Sequence, residues 1–90
     1  KLYGGFVMKK TQINEEVVVT ALGFRKNKNL VVYPRRIEFR GTSYDFIDAG
    51  LRCLVNCGGK IAEIITLSDG RSDYCLRRDD SIWTLLSIAS

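Results

Sequence analysis

The stretch Lys60–Ser90, KIAEIITLSDGRSDYCLRRDDSIWTLLSIAS, decides the fold of this chain. It contains three apolar runs with two polar clusters between them: Lys60–Leu67, Tyr74–Leu76 and Ser81–Ile88, separated by Ser68–Arg71 and Arg77–Asp80. Runs of β-branched and aromatic residues bounded by Asp-Gly and charged clusters are typical of antiparallel strands joined by tight turns. The stretch therefore predicts a three-stranded meander, and it points to no particular chemistry.

A further hairpin is predicted upstream, over Arg36–Phe46. Its apolar and polar residues alternate around the Gly41–Thr42 turn, so each set shares one face of the hairpin. The apolar face consists of Ile37, Phe39, Tyr44 and Phe46. The preceding strand, Leu30–Tyr33, runs into the only proline, Pro34, which has no backbone N–H to donate. We expect that strand to end or bulge at the proline, or to lie at a sheet edge.

The segment Glu15–Phe24 allows two interpretations. Its three consecutive valines and its threonine favour a strand, because β-branched side chains lose rotamer freedom in a helix. The alternative is a short N-terminal helix capped by Thr11, with one apolar face. That face would carry Ile13, Val17, Ala21 and Phe24. The polar cluster Arg25–Asn29 is expected to be a turn in either case.

These elements together predict one all-β domain over residues 1–90. The remaining strand is Leu51–Cys57, which follows a break at Ile47–Gly50 and ends at Gly58–Gly59. Six or seven short strands joined by short turns predict a small antiparallel barrel or a strongly curved sheet. Residues 1–7 precede the plausible initiator Met8; we expect a non-native lead-in or, alternatively, an added edge strand.

The run Pro34–Tyr44 resembles a pattern in small bacterial proteins of unknown function that are similar to SH3-like barrels. The shared features are a proline, a strand that ends in an aromatic residue, a glycine and a second aromatic residue three positions after it. The resemblance covers about a dozen residues. It implies a fold and carries no activity.

The composition removes several classes of function. The 90 residues include no histidine, so the commonest general base near neutral pH is missing. The three cysteines, Cys53, Cys57 and Cys75, match no metal-binding spacing and do not make a complete disulfide framework. No apolar run approaches the length of a membrane span. We therefore expect a soluble, cytoplasmic, non-enzymatic protein with no cofactor, no metal and no membrane partner.

Charge is distributed unevenly along the chain. Residues 1–40 carry a net charge of +6 and residues 41–90 a net charge of −2, within an overall +4. A basic surface with interleaved aromatic rings is what single-stranded nucleic acid requires. The candidate residues for this binding are Arg25, Lys26, Lys28, Tyr33, Arg35 and Arg36. The alternative is that these cations only keep a turn and a strand face soluble.

The last strand offers the other candidate surface. Trp83 and Leu85 alternate with Ile82, Leu86 and Ile88, so apolar residues fall on both faces of the strand. An apolar surplus of this kind is typical of a contact with a partner or a second subunit. We therefore predict a small interaction module, self-associating or bound to a protein partner, with Trp83 and Leu85 in the contact.

Overall fold

A computed structural model describes residues 9–26 and 30–90, except the side chains at positions 26, 30, 31, 48, 49 and 57. It confirms the all-β fold, with seven antiparallel strands in one open sheet of order β3-β2-β1-β7-β6-β5-β4. The strands are β1 Lys10–Lys26, β2 Leu30–Phe39, β3 Thr42–Asp45, β4 Asp48–Cys57, β5 Lys60–Ser68, β6 Asp73–Asp79 and β7 Ile82–Ala89. The predicted lead-in or edge strand at residues 1–7 lies outside the described residues.

The strand β1 holds two parts of the sheet together. Its first half pairs with β7 as far as Val17, and its second half pairs with β2 from Val18 onward. This pairing corrects the alternative of a short N-terminal helix, since the described residues form no helix. The β-branched run at Val17–Thr20 suits the pleated conformation, and β2 pairs with β1 from Val18 onward. The strand is irregular at Asn14, which has a φ of 56°.

The sheet curves so that its two wings, β2–β3 at one end and β4–β6 at the other, share one core. Tyr44 on the edge strand β3 contacts Tyr74 on β6, with ring centroids 5.6 Å apart. Phe46, just after β3, meets the same ring of Tyr74 at 5.0 Å. The chain between β3 and β4 then bridges the wings, because Phe46 N donates to Arg35 O and Ile47 N to Ser68 O, both at 2.8 Å. The buried core consists of Val17, Ile37, Phe39, Phe46, Ile65, Leu67, Tyr74, Leu76 and Leu85.

The predicted hairpin at Arg36–Phe46 is confirmed in position and in facing. Ile37, Phe39 and Phe46 are buried, whereas Arg36 and Glu38 are exposed. The strand β2 continues through Pro34 and does not end there. The register shifts beside the proline, where Ala21 pairs with Arg36 and Leu22 with Pro34, so the predicted bulge is confirmed.

Several predicted strand boundaries are wrong. The strand β1 runs from Lys10 to Lys26, so it includes Arg25 and Lys26, which were predicted in a turn. The strand β4 begins at Asp48, not Leu51, because the chain pairs with β5 through a register shift between Ala49 and Arg52. The strand β6 runs to Asp79, so Arg77 and Arg78 lie in a strand and not in the turn. The turn forms at Asp80, which adopts a φ of 57°, a conformation that aspartate tolerates.

Candidate interaction surface

Among the described residues proposed for nucleic-acid binding, Arg36 is engaged by a carboxylate. Arg36 Nε donates to Asp45 Oδ1 at 2.6 Å, so the cross-strand carboxylate offsets its charge. Arg25 and Arg35 are exposed on β1 and β2. Lys28 and the side chain of Lys26 lie outside the described part of the chain.

The aromatic member of that set, Tyr33, packs inward. It is half-buried, lies against the core and covers Gly23 on the neighbouring strand. The exposed ring in this region is Phe24, which is 65% accessible and lies directly before Arg25. Phe24 pairs across the hairpin with Val32, so the two exposed apolar side chains lie together. A stacking platform here would therefore use Phe24 and not Tyr33.

The structure separates the two residues proposed for a partner contact. Leu85 is fully buried in the core, with no exposed surface, so folding alone accounts for its apolar side chain. Trp83 is half-buried, and the Arg78 guanidinium carbon lies 5.6 Å from its ring centroid. The predicted partner contact stays a prediction, and of the two residues only Trp83 retains accessible surface in this fold.

Trp83 lines a groove at the point where β1 stops pairing with β7. The groove has a volume of about 420 Å³. Its lining residues are Glu16, Val17, Val18, Val19, Leu22, Ser81 and Trp83. Within the described residues, no strand pairs with β1 beyond Val17 on the side that faces β7. The groove therefore combines apolar side chains with an open strand edge.

A second open edge, which the sequence analysis missed, lies at β4. This ten-residue strand ends the sheet, and every one of its described side chains is exposed. Leu51 and Leu54 are 78% and 69% accessible, and Val55 is also exposed. Ile47 and Ile61, which flank the strand, add two more large apolar side chains at 72% and 69%. Long apolar edges of this kind are ready templates for pairing with another strand.

The one charged side chain described on β4 is drawn toward the sheet. Arg52 Nε forms an ion pair with the Glu63 carboxylate on β5. Glu63 is buried, and its other oxygen accepts from Arg78 Nη2 on β6 at 3.0 Å. The buried carboxylate thus holds two half-exposed arginines, one on each side of β5. Arg52 is therefore held by its own sheet.

Two cysteines lie on strands separated by β5. Cys53 is exposed on β4, and Cys75 is half-buried on β6. Burial raises the pKa of the Cys75 thiol above its ordinary value, while Lys10 acts in the opposite direction. The side chain of Cys57 is not among those described. Within the described residues, no group of three His, Cys, Asp or Glu side chains is placed to hold a metal ion.

The comparisons with known proteins identify no relative. No family model, no curated protein and no solved structure matches this chain. The resemblance of Pro34–Tyr44 to SH3-like barrel proteins therefore stays a prediction. Among the described residues there is no helix with the length and apolar character that crossing a membrane would need.

Proposed function

We propose that this protein is a non-enzymatic interaction module that associates with itself through the edge of β4. The observation that carries the proposal is the concentration of exposed apolar side chains there. Five of the ten large apolar residues that are exposed in the described structure lie on β4 or beside it, namely Ile47, Leu51, Leu54, Val55 and Ile61. Apolar surface gathered at one unpaired edge is typical of a contact surface and costs solubility when it is left open.

The non-enzymatic part of the proposal is supported by the chain's chemistry. The sequence contains no histidine. The acid pair Asp79–Asp80, which could suggest a metal site, lies beside arginines, and Arg77 Nε donates to Asp79 Oδ2 at 2.8 Å. The carboxylate of Glu63 is similarly engaged by two arginines. In the proposal these charged groups only stabilise the fold as ion pairs, and the exposed edge of β4 makes the functional contact.

Sedimentation equilibrium over a range of protein concentrations tests this function. We expect a reversible monomer–dimer equilibrium for the wild type and a monomer for Leu54→Arg, because the substitution places a charge in the middle of the apolar edge. The matched control is Leu22→Arg, which alters a leucine of similar exposure, 53%, on β1. The control should dimerise as the wild type does. A strictly monomeric wild type, or loss of the dimer in Leu22→Arg alone, would overturn the proposal.

A second candidate function is binding of single-stranded nucleic acid, and the observation that favours it is Phe24. Its exposed ring lies two residues after Leu22 and next to Arg25 on β1. A nucleic-acid base could stack on this ring while the arginine approaches the phosphate. Titration with a labelled oligothymidine at low and high salt tests this candidate. Binding should weaken steeply with salt and fall in Phe24→Ala. Absence of binding at low salt would end it.

A further inference from the structure

The hairpin turn after β4 determines which backbone groups of that strand face outward. Gly58 and Gly59 form a two-residue turn with φ values of 60° and 87°, the signs of a type I′ turn. The flanking residues, Cys57 and Lys60, are directly paired, and such a pair is hydrogen-bonded across the turn. Hydrogen-bonded and non-hydrogen-bonded pairs then alternate along an antiparallel ladder.

This alternation can be followed without interruption from the turn to Arg52. Cys53 and Val55 fall in pairs that bond to β5, at Ile64 and Ala62 respectively. The intervening residues, Arg52, Leu54 and Asn56, therefore direct their N–H and C=O groups to the open side. In the described structure no strand lies there to receive them. The edge thus presents three evenly spaced donor–acceptor positions with Leu54 at the centre.

We propose that β4 pairs antiparallel with β4 of a second copy about a two-fold axis at Leu54, an arrangement that rests on the self-association proposed above. Centring on Leu54 brings Leu54 opposite its own copy and Arg52 opposite Asn56 of the other chain. Cys53 then lies opposite Val55 of the second copy. Every opposed pair matches in kind, apolar with apolar and polar with polar, so the edge is complementary to itself.

The neighbouring two-fold registers fit less well. Centring on Arg52 would oppose two arginines across the axis, and like charges directly opposite one another are unfavourable. Centring on Cys53 would place Asn56 opposite Gly50, inside the irregular part of the strand between Ala49 and Arg52. The register centred on Leu54 is the one that pairs all three outward-facing residues with one another.

The size of the contact indicates a weak and reversible dimer. A strand of ten residues, at about 3.4 Å per residue in a sheet about 10 Å thick, offers on the order of 300 Å² per copy. Standard stable interfaces bury about 800 Å² per partner. The exposed side chains of Leu54 and Ile61 extend the contact beyond the strand edge itself. We therefore expect association at high protein concentration, in the manner of transient complexes.

Disulfide trapping tests the register. The parent chain carries Cys57→Ser and Cys75→Ser and keeps Cys53; oxidised glutathione is the oxidant and is reduced as the bond forms. Adding Val55→Cys places a thiol opposite Cys53 in a non-hydrogen-bonded pair, where the Cα atoms lie about 4.5 Å apart, within disulfide range. The control is Val18→Cys, which changes an exposed valine on β1 instead.

We expect a covalent dimer, several times more abundant with Val55→Cys than with the parent or with Val18→Cys, and joined between position 55 and Cys53. Equal trapping of the parent through Cys53 alone would overturn the register in favour of one centred on Cys53. A dimer that sediments but is trapped by none of the variants would overturn this register while leaving self-association standing. Absence of a sedimenting dimer would overturn the proposed function as well.

Discussion

The ring of Tyr33 lies directly over Gly23 on the neighbouring strand. A β-carbon built at Gly23 would lie 2.5 Å from Tyr33 Cζ, and the two residues are directly paired between β1 and β2. Because the ring takes the space of the missing side chain, Tyr33 packs β2 closely against β1 beside the core. The relationship makes Gly23 a packing residue, not a flexible one.

We expect Gly23→Ala to destabilise the fold by about 1–3 kcal/mol, the usual cost of forcing extra volume into a packed site. Urea unfolding measures the loss. The matched control is Gly50→Ala, where the nearest atom, Thr66 O, would lie at an ordinary 3.5 Å from the new carbon. In a Tyr33→Ala background the same Gly23 substitution should cost less, since the clash is removed. Equal stability of Gly23→Ala and wild type would contradict this packing.

Glu63→Ala should destabilise the protein more than loss of a surface ion pair does. The Glu63 side chain is 6% exposed and accepts from Arg52 and Arg78, which are both half-exposed. Because the arginines can turn to water, we expect a cost of about 1–3 kcal/mol, not the larger loss of a fully buried pair. The control, Glu15→Ala, breaks an exposed pair with Arg40 and should change urea unfolding little. Equal losses would contradict the structural role of Glu63.

Asp69 should make the stability of the protein depend on pH in acid. Burial acts to raise the pKa of this carboxyl, but hydrogen bonds from Ser72 N, Arg71 N and Tyr74 Oη outweigh it and hold the pKa below its usual value. The charged form is therefore stabilised in the folded state. This contribution is complete above the unfolded pKa of about 3.9 and is lost as the pH falls through the lower folded value.

The matching variant is Asp69→Asn, which keeps an acceptor and removes the charge. We expect it to be less stable than the wild type near neutral pH, and the difference to shrink below about pH 4. Thermal unfolding at several pH values measures the difference. A gap that is constant from neutral to acid pH would show that the carboxylate charge contributes nothing.

The exposed Cys53 should react faster than Cys75 with iodoacetamide near neutral pH. Burial raises the pKa of the Cys75 thiol and lowers the fraction of reactive thiolate, and the same burial restricts access. Peptide mass spectrometry of a Cys57→Ser variant, labelled at low protein concentration, gives both rates. We expect a difference of several-fold in favour of Cys53. Equal rates would contradict the burial of Cys75.

The parts of the fold that are visible in the sequence are those where side chains alternate without interruption. The hairpin from Arg36 to Phe46 is confirmed because its apolar residues follow a period of two on both sides of a glycine turn. The strand β7 shows the limit of this rule. Leu86 has no direct partner on β6, where Cys75 pairs with Ser87 and Leu76 with Leu85, so the alternation changes phase and Ile88 also packs against the core.

This change of phase at Leu86 in β7 explains why the sequence predicts the candidate surface only in part. Apolar residues on both parities of β7 suggested a partner contact at Leu85, but Leu85 lies in the core, and the phase change after it brings Ile88 to the same core. The strand β4 also carries apolar residues at both odd and even positions, Leu51 and Val55 against Leu54, so the same criterion would have selected it. The position of a strand at the end of the sheet depends on long-range pairing, which local patterns do not specify.

Pairing of β4 with itself would change amide hydrogen exchange at single residues, which NMR can measure at low and at high protein concentration. We predict that the amides of Arg52, Leu54 and Asn56 gain protection as the concentration rises. The amides of Cys53 and Val55 already bond to β5 and should change little, so the strand contains its own control. Exchange along β4 that does not depend on concentration, or protection that develops at Val18–Phe24 instead, would contradict the claim.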